Sequence, residues 1–148
     1  LQRLKEATCS YHYSSIPFFI GKSTMAIFLA DVLLHTLQEE EGNPILFDFL
    51  YHAFQLLDMR DVNYVNFHLR FLLHFTRYLG FSLGEIRSTD DLVQAAEFHV
   101  FRNLRHKERS ALVEMLTTSL ALPDEIGLTH AGRAALLDRI LEFYGQHL

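Results

Sequence analysis

Three stretches of the chain are apolar around most of a helical circumference, and each keeps one narrow polar stripe. The first follows Ser23 or Thr24, either of which can cap a helix, and runs through MAIFLADVLLHTLQ. The second begins at Asn43-Pro44, a capping residue followed by proline in the first turn, and runs through ILFDFLYHAFQLLD. The third follows Asn63 and ends at Gly80, which is a good C-terminal stop.

These three patterns predict core helices, because a helix that is apolar nearly all round is not a surface helix. Joined by short loops, they predict an all-α fold, a compact helical bundle. The polar stripes contain Asp31, His35 and Gln38; then Asp48, His52 and Gln55; then Asn66, Arg70, His74 and Arg77. We expect the core to contain Phe28, Leu33, Phe47, Leu50, Phe54, Phe67, Phe71, Leu72 and Phe75.

The two ends of the chain carry weaker patterns. Residues 1–22, with Pro17 and Gly21, are typical of a connector, and residues 23–148 are predicted to form the helical domain. The stretch SLGEIRSTDD is a polar linker, and DLVQAAEFHVFRNL is a short helix or a mixed segment. KERSALVEMLTTSLAL predicts a helix with Leu112 and Leu116 on its apolar face, and Thr129 caps a final helix that runs to the end of the chain.

Composition excludes several classes of protein. Among 148 residues, 49% are hydrophobic and 13% aromatic, so the chain has ample material for one core. A single Cys excludes an internal disulfide framework and favours a reducing, cytoplasmic location. Charged and polar residues interrupt every apolar run before the roughly 20 residues that a membrane span needs.

Charge argues against DNA binding by this chain alone. Residues 1–80 carry six Lys and Arg against eight Asp and Glu, and residues 81–148 carry seven against ten. Neither half has the basic excess on which phosphate-backbone binding depends.

The search for catalytic chemistry finds no credible constellation, so we expect no enzyme activity and no cofactor. GKST at Gly21–Thr24 lacks the earlier glycine of a phosphate-binding loop and is more simply a turn and helix cap. His35, His52 and His74 lie on three different helices, and with Asp31 or Asp48 they could form a helical metal site. No Glu-x-x-His pair accompanies them, and solvent-facing histidines are the simpler interpretation.

Two basic features remain as candidate binding sites. Arg70 and Arg77 lie on the most apolar helix, near Phe67 and His74, where guanidinium beside apolar side chains suits an acidic peptide with an apolar end. Alternatively, these arginines only solvate an open face or pair with carboxylates elsewhere. A second stretch, FRNLRHKER, places Arg102, Arg105, Lys107 and Arg109 beside Phe98 and Phe101. It could hold single-stranded nucleic acid, or it could be a solvated helix start.

One set of motifs resembles the C-terminal helical domain of the bacterial DNA repair protein RecO. The set comprises the acidic run Glu39–Glu41, then NPILF at Asn43–Phe47, FHLR at Phe67–Arg70 and LGF at Leu79–Phe81. The resemblance covers about residues 23–81, and the remainder is more weakly similar to a divergent branch of the family. Residues 82–101 contain no Cys, so the four-cysteine zinc module of many relatives is not expected here.

The resemblance implies a non-catalytic recombination mediator that helps to load recombinase onto single-stranded DNA in the bacterial cytoplasm, at the nucleoid. Its implied partners are RecR, DNA and the acidic C-terminal tail of single-stranded-DNA-binding protein. In the family, an N-terminal domain of oligonucleotide-binding type supplies much of the DNA contact, and residues 1–22 would follow such a domain. Arg70 matches the family's Phe-x-Leu-Arg motif, whereas Arg77 is our extension by helical spacing. Two other functions stay open, a helical metalloenzyme and a helical dimerisation scaffold.

Overall fold

A computed structural model describes residues 11–37 and 42–148 of the chain. Within those residues the structure has six α-helices and one 3₁₀ segment and no strand, which confirms the predicted all-α fold. The helices are α1 (Ile20–Thr36), α2 (Pro44–Met59), α3 (Phe67–Leu79), α4 (Thr89–Gln94), α5 (His106–Thr117) and α6 (His130–His147), and the 3₁₀ segment spans Ala96–Phe101.

Local capping residues set most helix boundaries. The Asn43 side chain accepts a hydrogen bond from the backbone N–H of Leu46 at 3.2 Å, and Thr129 caps α6 in the same way. Gly80 ends α3 in the left-handed conformation, with φ of 86°, as its position in the sequence predicts. Ser88 and Asp91 form a capping box at the start of α4, inside the predicted polar linker.

Helix α1 begins at Ile20, earlier than the Ser23 or Thr24 start that we predicted. Phe19 is its N-terminal flanking residue and makes no side-chain cap. Ser23 does not cap the helix, because its hydroxyl donates to the carbonyl of Ile16 in the preceding segment. The helix therefore starts where the chain leaves a turn in which the N–H groups of Phe18 and Phe19 both donate to the carbonyl of Ser15 at 3.0 Å.

Helix α3 lies at the centre of the core. It packs against four other helices, α1, α2, α5 and α6. Eight of its side chains are buried, namely Phe67, Leu69, Arg70, Phe71, Leu72, Leu73, Phe75 and Thr76. These include four of the predicted core residues, and four more pack against the core while partly buried, namely Phe28, Leu33, Leu50 and Phe54.

Phe47 was wrongly predicted to lie in the core. Its side chain is 59% exposed and stacks on the ring of Tyr51, with 5.7 Å between the ring centroids. An adjacent side of α2 provides the buried residues Leu46, Ala53 and Leu57. Apolar residues of α2 thus cover more of the helix surface than its contacts with α1 and α3 bury.

The helices in the second half of the chain are interrupted by more non-helical structure than its pattern predicted. Helix α5 ends at Thr117, where we expected it to continue to Leu122, and the chain then runs without a helix to α6. Helix α6 packs Leu136, Ile140, Phe143 and Tyr144 into the core. The Tyr144 hydroxyl donates to the backbone carbonyl of Leu72, which joins the last helix to the central one.

A buried carboxylate joins the segment before α1 to the end of α2. Asp58 is 2% exposed and accepts hydrogen bonds at 2.8–3.0 Å from three consecutive backbone N–H groups, those of Ser14, Ser15 and Ile16. Burial raises the pKa of the Asp58 carboxyl, but these hydrogen bonds outweigh it and hold that pKa well below its usual range. Lys22, also buried, donates to the Ser15 hydroxyl at 2.8 Å and to the Asp58 carbonyl at 3.1 Å.

Some sequence features lie outside the described residues, namely Cys9, Gln38 and the acidic run Glu39–Glu41. Among the helices that are described, none is long and apolar enough to cross a membrane.

Candidate functional site

A groove of about 410 Å³ lies between α2, α3 and the chain that follows α5. Its apolar lining comes from Phe49, Ala53, Leu56, Tyr78 and Leu116. Its polar lining comes from His52, His74, Arg77 and the hydroxyl residues Thr117, Thr118 and Ser119. Leu120 and Ala121 complete the lining. Apolar side chains beside the cationic Arg77 suit a peptide that has an apolar residue close to an acidic one.

Two of the predicted site residues reach this groove, one helical turn apart on α3. Arg77 is exposed, so its guanidinium is available to an anion. His74 is half-buried, and its Nε2 donates to the carbonyl of Met115 at 2.9 Å. Burial lowers the pKa of His74, so the ring is neutral near pH 7. Arg77 is therefore the cation of the pair, and His74 fixes the end of α5 beside it.

The other two predicted site residues are buried. Phe67 is 0% and Arg70 1% exposed, so neither side chain offers surface to a partner in this structure. Among the residues that the structure describes, no carboxylate forms an ion pair with Arg70. Its Nη1 donates to the carbonyl of Leu122 at 2.9 Å, and its Nη2 donates to the carbonyl of Ser119. The stripe Asn66, Arg70, His74 and Arg77 is thus not an open face, because only its last member is exposed.

A second arginine, which the sequence analysis missed, shares this role. Arg60 follows α2, and its Nη2 donates to the carbonyls of Leu120 and Leu122. Together Arg60 and Arg70 hold three carbonyls of the segment Ser119–Leu122, which we call the groove wall. The wall is not helical, so its carbonyls need donors from elsewhere, and the two guanidiniums supply them.

Burial and the mutual repulsion of Arg60 and Arg70 both oppose this arrangement, and hydrogen bonds offset that cost. Burial lowers the pKa values of Arg60 and Arg70, and the nearby carboxylate of Asp124 opposes that effect at both residues. Arginine nevertheless remains charged in proteins, so two positively charged side chains contact the groove wall. The wall is therefore held by charge-assisted hydrogen bonds, which are about twice as strong as neutral ones.

The second basic stretch lacks the aromatic partners that we expected. Phe98 is 4% and Phe101 0% exposed, so neither ring is free to stack on a base. Arg102, Arg105 and Lys107 are exposed, while Arg109 donates from Nη1 to the carbonyl of Arg102 at 3.0 Å. Contact with nucleic acid at this stretch stays a prediction that rests on charge alone.

The histidines do not gather into one cluster. His52 and His74 line the groove, whereas His35 does not. His35 and His52 each donate from Nδ1 to the carbonyl four residues earlier in their own helix, at 2.8 and 2.7 Å. Across residues 11–37 and 42–148, no group of three or more His, Cys, Asp or Glu side chains is placed to hold a metal ion.

Known proteins are similar to this chain along its whole length. Residues 19–90 match the family model described as "Recombination protein O C terminal". The DNA repair protein RecO of Bacteroides fragilis is 32% identical over 157 residues, which cover 100% of this chain and 65% of that protein. The DNA repair protein RecO of Flavobacterium psychrophilum is 31% identical over 153 residues, covering 100% of this chain and 64% of that protein.

A shorter match with higher identity is consistent with these. The DNA repair protein RecO of Christiangramia forsetii is 46% identical over 81 residues, which cover 55% of this chain and 34% of that protein. The chain spans 64–65% of the length of the first two relatives. No solved structure matches the chain.

Proposed function

Because the chain belongs to the family of the recombination protein O C-terminal domain, as its motifs predicted, we propose that it is the partner-binding helical domain of a recombination mediator. The mediator acts in recombinational DNA repair and carries no reaction of its own. It works in the bacterial cytoplasm, where the recombining DNA is.

The groove is the observation that carries this proposal. We propose that it binds the acidic C-terminal tail of single-stranded-DNA-binding protein, with an apolar residue of the tail against Phe49, Leu56 and Tyr78. Arg77 then faces a tail carboxylate at the rim. We keep RecR as a second partner, which the family resemblance implies.

We propose only a minor role in DNA binding for this chain. The chain has a net charge of −5 and spans only part of the length of its relatives. We propose that most DNA contact belongs to the part of the whole protein that this chain does not span. Arg102, Arg105, Lys107 and Arg109 would then add a minor electrostatic contribution.

A peptide titration tests the groove. We expect the acidic tail peptide to bind the chain with micromolar affinity that weakens as salt rises. Arg77→Gln should weaken binding by about fivefold to tenfold, because it removes the exposed guanidinium of the rim. Arg105→Gln is the matched control, since it removes the same charge at an exposed position away from the groove.

Calorimetry or fluorescence anisotropy gives the affinities, and circular dichroism checks that both variants fold. An affinity that is equal for the wild-type chain and Arg77→Gln would remove the proposed site. Equal losses in Arg77→Gln and Arg105→Gln would also count against it, because they would indicate binding by net charge alone.

A further inference from the structure

The outer face of α1 carries a stripe of exposed aliphatic side chains that the proposed function does not use. Ile20 is 86% exposed, Ile27 70% and Leu34 79%. Their seven-residue spacing places them on one face of the helix, two turns apart. Phe18 and Phe19, immediately before the helix, are 78% and 57% exposed.

The opposite face of α1 already packs against the rest of the molecule. Lys22 and Leu29 are buried there, and Met25, Phe28 and Val32 pack against the core. The helix is therefore apolar on both sides but covered on only one. Surface residues that are apolar singly need no explanation, whereas three large aliphatic side chains in line on one helix face do.

The stripe would supply the apolar centre of an interface. If a fully exposed large apolar side chain presents roughly 180 Å², the three aliphatic residues expose about 400 Å², and about 650 Å² with Phe18 and Phe19. A stable dimer buries about 800 Å² on each partner, and polar residues at the rim would supply the remainder.

Charge on α1 argues against a lipid surface as the occupant. A helix that lies on a membrane carries Lys and Arg beside its apolar face. The only such residue in α1 is Lys22, which is buried. The exposed acidic residue Asp31 would repel anionic lipid headgroups.

We propose that the α1 stripe binds a second copy of this chain, with the two α1 helices antiparallel about a two-fold axis near Ile27. In this register Ile27 meets its own copy, and Ile20 packs against Leu34 of the second copy. The stripe is then complementary to itself, as a two-fold interface requires.

The two ends of α1 are also electrostatically complementary in this arrangement. At the N-terminal end, Phe19 provides no side-chain cap for the first N–H groups of the helix. The C-terminal half carries Asp31, which the antiparallel register places beside Thr24 of the second copy. Positive and negative ends of the two helix dipoles are brought together, which favours this orientation over the parallel one.

Light scattering after size-exclusion chromatography tests the proposal. We expect the mass to rise from 17.2 kDa toward twice that value as the concentration rises from about 1 to about 300 µM. Ile27→Glu should keep the chain monomeric, because two carboxylates would meet on the axis. Val93→Glu is the matched control, since Val93 is an exposed valine on α4 (44%) and should leave the dimer unchanged.

Cross-linking tests the position of the axis. With Cys9 replaced by serine, Ile27→Cys should form a disulfide-linked dimer under mild oxidation, whereas Val93→Cys should not. The proposal is independent of peptide binding. A chain that stays monomeric throughout, or a dimer that survives Ile27→Glu, would overturn it. Ile27-dependent sedimentation with anionic phospholipid vesicles, without self-association, would assign the stripe to lipid and overturn it too.

Discussion

Replacing Arg70 with methionine is the sharpest test of what the motif arginine does. Methionine keeps an unbranched stem in the core but removes both hydrogen bonds to the groove wall. If Arg70 only solvated an open face, as one interpretation of the sequence held, its loss would change the free energy of unfolding by less than about 0.5 kcal/mol.

The buried contacts predict a larger effect. Arg70 is 1% exposed, and removal of one partner from a buried, charged, hydrogen-bonded arrangement costs about 3–5 kcal/mol. The two carbonyls keep other donors, since Arg60 still bonds to Leu122 and the N–H of Leu122 still bonds to Ser119. We therefore expect the low end of that range, about 3 kcal/mol, or about 10 °C in melting temperature.

Urea unfolding, followed by circular dichroism, measures this loss, and Arg77→Met is the matched control. Arg77 is exposed, so its replacement should leave the free energy of unfolding nearly unchanged. Affinity for the acidic tail should fall in both variants, but only Arg77→Met should reduce its salt dependence, because only Arg77 faces the tail in the complex that we propose. Equal stabilities, or a reduced salt dependence in Arg70→Met, would contradict this account.

Three further predictions concern stability. Asp58→Asn should cost about 3 kcal/mol at pH 7, because an amide N–H₂ would face backbone donors. In urea unfolding that cost should shrink below about pH 4, where the unfolded carboxyl takes up a proton. The pKa of His68 is lowered to about 4 by burial and by Arg133. The wild-type chain should therefore lose up to about 3 kcal/mol of stability between pH 6.5 and 4, where only the unfolded chain binds that proton, and His68→Phe should flatten this slope. Gly80→Ala should lower the melting temperature by about 4 °C, because φ of 86° strains any residue with a side chain.

The sequence determined helix boundaries well where a capping residue acts on its own helix. Asn43, Thr129 and Gly80 lie within a few residues of the groups that they satisfy, so their effect can be predicted without the fold. Helix α1 lacks this signal, since its start follows from contacts with residues 15 and 16. No local pattern marks Ile20 as the start of a helix.

The role of Arg70 could not be predicted, because its partners are 49 and 52 residues away in the sequence. A polar residue at helical spacing on an apolar helix usually marks the solvent face. Here it marks the place where a non-helical segment approaches and needs donors for its carbonyls. The early end of α5 was the missing fact, because the non-helical segment that follows it is the one whose carbonyls Arg70 holds. Arg60 was missed for the same reason.

The exposure of Phe47 and that of the α1 stripe have one common cause. Helix α3 contacts four other helices, whereas the main contacts of α1 and α2 are with each other and with α3. Three helices of similar apolar content therefore cannot all be covered, and the two outer ones expose Ile27 and Phe47 by 70% and 59%. Selection for folding alone would favour polar residues at such positions, since exposed apolar stripes promote association. The α1 stripe and the groove between α2 and α3 are therefore the two surfaces for which we propose partners.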